Sequence, residues 1–485
     1  MKELKNLVAG EWRGSARTWD KISPFSGHVV ARVHEAEKQM IDDAVAAGRA
    51  AAFGEWGTMP MRARVAIIRD FAQKLSARVD DLVEADMADT GRSRWQASTF
   101  DGKRATGLFE KYCELALTLE NRSNNFEGEG GFQGVWLTQR RPKGVIACIA
   151  PWNVPLLMMS LKLAPALVMG NAAIAKPSEE TPSSTTILAE VIAASEVPDG
   201  AFSLLHGFGR DSTGAWITEH PGVDAITFTG EPATGAAIMR TAATGLREVS
   251  MELGGKNPAL VFEDVDMERA IEGGMRSAFF NTGQICFCTE RVYVHRSRYD
   301  EYVDRMVGVA DSIVMGEPER SGFSIGPLVS HSHREKVKSL VDTVVPEGGE
   351  ILAGGRIPEF GDERDKGAFY CPTVAVGLDS DATMMREETF GPVMHVAPFD
   401  DEDEAIALAN NSRYGLGAVI WSQNVARCLS LPPKLRVGHV WVNSWQIRDL
   451  SSPLAGVGIS GVGEQFGVRS LEFCSQPQTI TIRLD

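Results

Sequence analysis

Residues 144–176 read GVIACIAPWNVPLLMMSLKLAPALVMGNAAIAK. The run is apolar enough to raise the question of a membrane span. Lys162, Pro165 and the Gly170-Asn171 pair interrupt it well inside the roughly 20 apolar residues that a spanning helix needs. What remains is a short apolar strand, a buried helix and a second buried strand, with turn residues between them. The alternation continues to about residue 262 through SSTTILAEVIAASE, AFSLLHG, a polar helix and AITFTG. Continuous apolar strands separated by helices need cover on both faces, so the stretch predicts a doubly wound α/β unit with a parallel sheet.

Outward from that stretch the pattern holds. Val65, Ile68, Phe71, Leu75, Val79 and Leu82 recur at three- and four-residue spacing and predict an amphipathic helix beside the sheet. After GGKNPALVF the pattern restarts: Asp264 or Asp266 caps a helix with Met267, Ile271, Met275, Ala278 and Phe279 on one face, and RVYVH and HVWVN read as strands. This second α/β unit runs to about 455. Two segments stand outside both units: NRSNNFEGEGGFQG (121–134) leading into VWLTQRR, and the C-terminal PQTITIRLD, where Ile480, Ile482 and Leu484 alternate. Both read as exposed strand arms, of the kind that pair across subunits.

A chain of 485 residues exceeds what one hydrophobic core usually organises, which agrees with two large domains. The formal net charge of -15 argues against a nucleic-acid or anionic-membrane surface, because those partners attract a basic face. Seven cysteines, at 113, 148, 286, 288, 371, 428 and 474, are odd in number and scattered, unlike a secreted disulfide scaffold. MKELKNLVAGEW lacks the apolar core of a secretory signal, so a reducing cytoplasm is the expected home.

NTGQICFC (281–288) carries two thiols. No CxxC, HExxH or comparable ligand spacing accompanies them, so no metal site is expected. A bridge between residues two apart would be strained. Packing and reaction both remain open from this stretch alone, since free cysteine is often buried. PWNVP (151–155) places Trp152 and Asn153 just after a strand, at the carboxyl edge where α/β sheets bind ligands. KPSEETP ends another strand with Lys176 and Glu179, and MELGGKNP sets Glu252 before a glycine pair between the two units.

In chain order PWNVP, KPSEETP, FTGEPATG, MELGGKNP, GQIC, EETFGPV, NSRYGLGA and VWVNSW resemble the aldehyde dehydrogenase superfamily over nearly the whole chain. The resemblance implies that family's fold: a Rossmann-like NAD-binding domain (1–119 and 143–254), an α/β catalytic domain (255–455) and a small β oligomerisation arm (120–142 and 465–485). It implies Cys286 as the nucleophile, Asn153 as an oxyanion donor with the Cys286 backbone N–H, and Glu252 as general base. An aldehyde must become tetrahedral before it gives up hydride, so a thiolate nucleophile suits that chemistry. For the cofactor it implies NAD, with Trp152, Lys176, Glu179, Gly230, Glu388 and Phe390 around it; a carboxylate at the ribose hydroxyls repels an added phosphate.

HGFGRDSTGAWITEHPGVDAITFTGEPATG and NSWQIRDLSSPLAGVGISG are similar to the branch that oxidises hydroxymuconic and aminomuconic semialdehydes, including the carboxymethyl-hydroxymuconic relative. Those substrates bear a carboxylate far from the aldehyde, and the branch's clamping arginines map onto Arg104 and Arg448. Phe287 and Trp445 add aromatic surface that either lines or fills the substrate pocket. The chain departs from the family where PFGGxKxSGxGRE becomes PLAGVGISGVGEQ, and from the branch where RDLRT becomes RDLSS. The expected partners are a small aldehyde and further copies of the chain in a homodimer or homotetramer. Two alternatives are a dehydrogenase of neutral aromatic, cyclic or aliphatic aldehydes and a cysteine-dependent ester hydrolase.

Overall fold

The computed structural model describes residues 2–484, apart from the side chains at 100 and 101. The stretch 144–176 forms the strand Val145–Ile149, the helix Pro155–Val168 and the strand Ala172–Lys176. Pro155 opens the helix, where its missing N–H costs nothing. Leu156, Met159, Leu163 and Leu167 are fully covered, because the helix lies between the sheet and the helices Met61–Ser76 and Lys103–Leu117. No helix among the described residues is long and apolar enough to cross a membrane.

Among the described residues the first sheet has eight strands. Glu248–Leu253, Ala225–Gly230, Val145–Ile149, Ala172–Lys176 and Phe202–Leu204 lie side by side, and every pairing among them is parallel. The register sets Thr229 beside Glu252, Phe228 beside Ile149 and Ile149 beside Lys176, so their carboxyl ends meet along one edge. Among the described residues the second sheet has seven strands, with Asn257–Val261 between Thr289–His295 and Gly417–Trp421. The first sheet's Glu248–Leu253 and the second's Asn257–Val261 are joined only by the Gly254-Gly255-Lys256 link, which puts Glu252 at the seam.

A third, antiparallel sheet joins Ser475–Arg483 to Gln133–Pro142, and the latter to Ser123–Glu127. Both arms named from the sequence therefore pair with each other. Most of Ser475–Arg483 remains exposed on both faces, Ile482 by 43%.

One local expectation needs correction and another is resolved to one of its two alternatives. The periodic run from Val65 to Leu82 is two helices, Met61–Ser76 and Val79–Thr90, broken at Ala77-Arg78, where Arg78 leaves helical geometry at φ -101° and ψ 16°. Periodicity reports which face is apolar, and both segments turn that face to one core, so the bend leaves the pattern intact. Of the two candidate caps, Asp266 accepts from the Arg269 N–H; Asp264 instead accepts from the Ser422 hydroxyl at 2.9 Å and pairs with Arg427.

Candidate active site

A cleft of about 840 Å³ opens along the carboxyl edge of the first sheet and runs between the two sheets. Cys286 reaches its wall by way of a distorted turn. The helix Met267–Phe279 ends, and Asn281, Thr282 and Gly283 then take left-handed backbone at φ 51°, 58° and 73°. For Asn and Thr such conformations cost on the order of 1–3 kcal/mol each and persist only when held from outside. They are held: the Asn281 side chain donates to the carbonyls of Asn153 and Gln284 at 3.1 and 3.2 Å, and Thr282 to that of Gly326 at 3.0 Å. At Gly283 a Cβ would lie 1.9 Å from the Gly391 carbonyl oxygen, so only glycine passes.

Asn153 follows the strand Val145–Ile149 and is 5% exposed. Arg92 and Asn281 fix its carbonyl, while its side-chain N–H donates to the Gln284 carbonyl at 2.9 Å. That amide has a second hydrogen to offer. Cys286 and Glu252 share the cleft wall. Burial pushes the Cys286 thiol well above its usual range, and the neighbouring Glu252 charge pushes it further. Burial likewise raises Glu252, against the thiol, Lys162 and Arg448, which lower it. Both Glu252 oxygens are buried without a well-formed hydrogen bond, so its contact with the thiol is a close approach of two groups that cannot both be charged cheaply. Cys288, by contrast, is 2% exposed, lies off the cleft and rests against the Phe280 carbonyl.

At the far end of the cleft Lys176 lies 3.8 Å from Glu179, and Gly230 ends its strand nearby. Glu388 sits over the glycine pair, accepting from the Gly255 N–H at 2.8 Å; burial and Glu290 raise it to about 8. A Cβ on Gly254 would be 2.2 Å from a Glu388 oxygen, so glycine there lets the carboxylate lie against the backbone. Trp152 and Phe390 pack edge to face at 5.3 Å.

The model of the aldehyde dehydrogenase family matches residues 12–480. The chain belongs to that family. It is 44% identical over 485 residues to a 2-aminomuconic 6-semialdehyde dehydrogenase from a Pseudomonas species, covering 100% of this chain and 99% of that protein. To the 2-hydroxymuconic semialdehyde dehydrogenase of Pseudomonas sp. strain CF600 it is 46% identical, with 100% of each covered. Its backbone matches the NAD+ complex of an aldehyde dehydrogenase from Bacillus cereus with a TM-score of 0.94 at 32% identity, over 100% of this chain and 97% of that one. The NAD+ complex of Staphylococcus aureus betaine aldehyde dehydrogenase gives 0.94 at 32%, over 98% and 94%.

Within this aldehyde dehydrogenase, every residue that the sequence assigns to catalysis or to the cofactor lies on the one cleft. Of the four substrate candidates, Phe287 and Arg448 line it and Arg104 and Trp445 do not. Arg104 is half-buried and near enough to Arg448 to act on it electrostatically. Trp445 is 8% exposed and donates its indole N–H to the Phe287 carbonyl at 3.0 Å, so it braces the nucleophile segment.

Three polar groups went unassigned in the sequence. Lys162 is wholly buried under the seam, donates to Thr229 at 2.7 Å, and is lowered to about 8 by desolvation. Its signal was a lone cation in an apolar helix, a residue type that is almost never buried without purpose. Glu290 pairs with Lys256 and accepts the N–H groups of Thr389 and Phe390, holding Phe390 at φ 53°. Asn257, in MELGGKNP, donates to the carbonyls of Cys286 and Cys288 at 2.7 and 2.8 Å. Neither Glu290 nor Asn257 has a local sequence signal that separates it from ordinary strand-end polarity.

Proposed function

We propose that this aldehyde dehydrogenase uses NAD to oxidise a semialdehyde that bears a carboxylate at its far end, of the hydroxymuconic or aminomuconic type found in aromatic-ring catabolism. Arg448 carries the reading. Its guanidinium lines the cleft near enough to Cys286 and Glu252 to feel both, it stacks over Phe466 at 3.8 Å, and its Nη2 is buried without a hydrogen-bond partner. A buried fork with an unmet donor calls for an anionic acceptor, and a carboxylate fits it. Arg104 stands behind Arg448 as a second cation. The names of the relatives point to the same substrate class.

The chemistry follows from the wall. Glu252 takes the thiol proton, and the Cys286 sulfur adds to the aldehyde carbon. The Asn153 amide and the Cys286 N–H hold the oxygen as it becomes negative. Lys176, Glu179, Gly230, Glu388, Trp152 and Phe390, all on the cleft, would hold NAD, which would supply the acceptor for the hydride that leaves the carbon. A thioester then remains on Cys286. Glu252, ionised again, removes a proton from water, which attacks the thioester and releases the acid. The eight-stranded sheet, the seven-stranded sheet and the sheet of the arm support a division into a NAD-binding unit (1–119 and 143–254), a catalytic unit (255–455) and an arm (120–142 and 465–485). Seven free cysteines suit a reducing cytoplasm.

The test replaces Arg448 with alanine and follows NADH absorbance with adipic semialdehyde and with hexanal. Loss of a charge-assisted pair should raise KM for the semialdehyde about 10- to 100-fold. The KM for hexanal should stay within about twofold of its starting value, since it makes no such pair. Equal changes for both aldehydes overturn the carboxylate reading.

A further inference from the structure

The loop after His439–Val442 carries both Trp445 and Arg448, and it touches the nucleophile segment through two links. The first is the Trp445 indole N–H on the Phe287 carbonyl. The second runs through the Phe287 ring, which packs edge to face on Trp441 at 5.1 Å; the Trp441 indole N–H in turn donates to the Ile447 carbonyl, one residue before Arg448, at 3.0 Å. The loop is a strained arch, with Asn443 at φ 49° and Gln446 at φ 59°. Its base is tied down where Asn443 exchanges hydrogen bonds with Ser422 at 2.8 and 3.0 Å.

The other carbonyls of the nucleophile segment are held by donors outside the loop. Asn153 and Asn281 hold that of Gln284, the Cys288 N–H holds that of Ile285, and Asn257 holds those of Cys286 and Cys288. Asn257 is itself pinned by the Gly417 N–H. From Gln284 to Cys288, only the Phe287 carbonyl takes its donor from the substrate-facing loop. The Phe287 carbonyl belongs to the peptide that joins Phe287 to Cys288, so a shift of it reaches Cys286 through the φ and ψ of the single residue between them.

We infer that Trp445 is a positioning residue that couples occupancy of Arg448 by a carboxylate to the orientation of the Cys286 thiol. A substrate anion drawing Arg448 toward the cleft shifts residues 445–448 as one braced piece, and the indole hydrogen bond transmits the shift to the residue next to the nucleophile. A carboxylated aldehyde then gains in turnover as well as in affinity. The inference rests on the roles given above to Arg448 and Cys286.

Trp445→Phe removes the N–H and keeps the ring. With adipic semialdehyde its kcat should fall about five- to tenfold, the effect of one lost hydrogen bond, while KM stays within about twofold. With hexanal, kcat should fall by no more than about twofold, because no anion engages the loop. A second readout needs no turnover: adipate, which binds without reacting, should change the rate at which iodoacetamide alkylates Cys286 in the parent enzyme and leave it unchanged in the variant. Trp441→Phe, which breaks the parallel link, should weaken the adipate effect in the same direction. Equal loss of kcat for both aldehydes, or an undiminished adipate effect in both variants, overturns the coupling while Arg448 keeps its role. A parent enzyme that adipate does not affect and that turns over both aldehydes alike overturns the carboxylate reading and the coupling together.

Discussion

Cys286 and Glu252 lie side by side in a pocket that disfavours charge on either, and the buried cation below them helps the acid ionise. Glu252 works as its carboxylate, and burial raises its folded value, so turnover should climb with pH through that raised value. Lys162, while charged, lowers Glu252. Lys162→Met removes that help and should move the acid limb of the kcat/KM profile to higher pH. The gap from the parent should close above about pH 8, where Lys162 itself is neutral. A profile recorded from acid to alkaline pH checks both features. Glu252→Gln keeps the shape and removes the base: single-turnover NADH release should survive in part, while steady-state turnover falls about 10²- to 10⁴-fold as thioester accumulates. Rapid-mixing absorbance followed by mass measurement of the acylated chain reads that outcome.

Among the elements, the turn Glu388–Phe390 depends on a buried ion pair that touches no substrate. Lys256 and Glu290 are 2% and 4% exposed, and the Glu290 carboxylate also accepts two backbone N–H groups of the turn. Glu290→Gln leaves Lys256 unpaired, which should cost about 3 kcal/mol in denaturant unfolding. It also frees Phe390 from its left-handed backbone, so KM for NAD should rise while KM for aldehyde holds. Chemical denaturation and two-substrate kinetics together check it. The existence of several strands was legible: Val145–Ile149, Ala172–Lys176 and Thr289–His295 are where short apolar runs between helices placed strands. The break at Ala77-Arg78 was not, because both helices face one core and the spacing runs on across the bend.

At the scale of the whole molecule, the seam between two sheets makes the site. Asn153 and Glu252 come from the first sheet's edge, Cys286 and Glu388 from the second unit, and Arg448 from a loop beyond the second sheet's last strand. The third sheet stands apart. Among the described residues Ser475–Arg483 pairs only along Gln133–Pro142, and Ile482 within it and Leu484 just after it stay exposed, a surface suited to another copy of the chain. Removing residues 475–485 should turn the homodimer or homotetramer expected from the sequence into smaller species, measured as mass by light scattering after size exclusion.

The sequence by itself determined the succession of strands and helices from about 144 to 262, since an apolar pattern is a local property, and it marked Asn153, Glu252 and Cys286, which stand in short motifs at strand or helix ends. Only the tertiary structure decided that Lys162 lies beneath Glu252, that Glu290 holds Phe390, and that Trp445 grips a backbone carbonyl instead of lining the cleft. Those relations join residues far apart in the chain. They exist only once packing has set the distances and burial has stripped away the water that would otherwise satisfy each polar group alone.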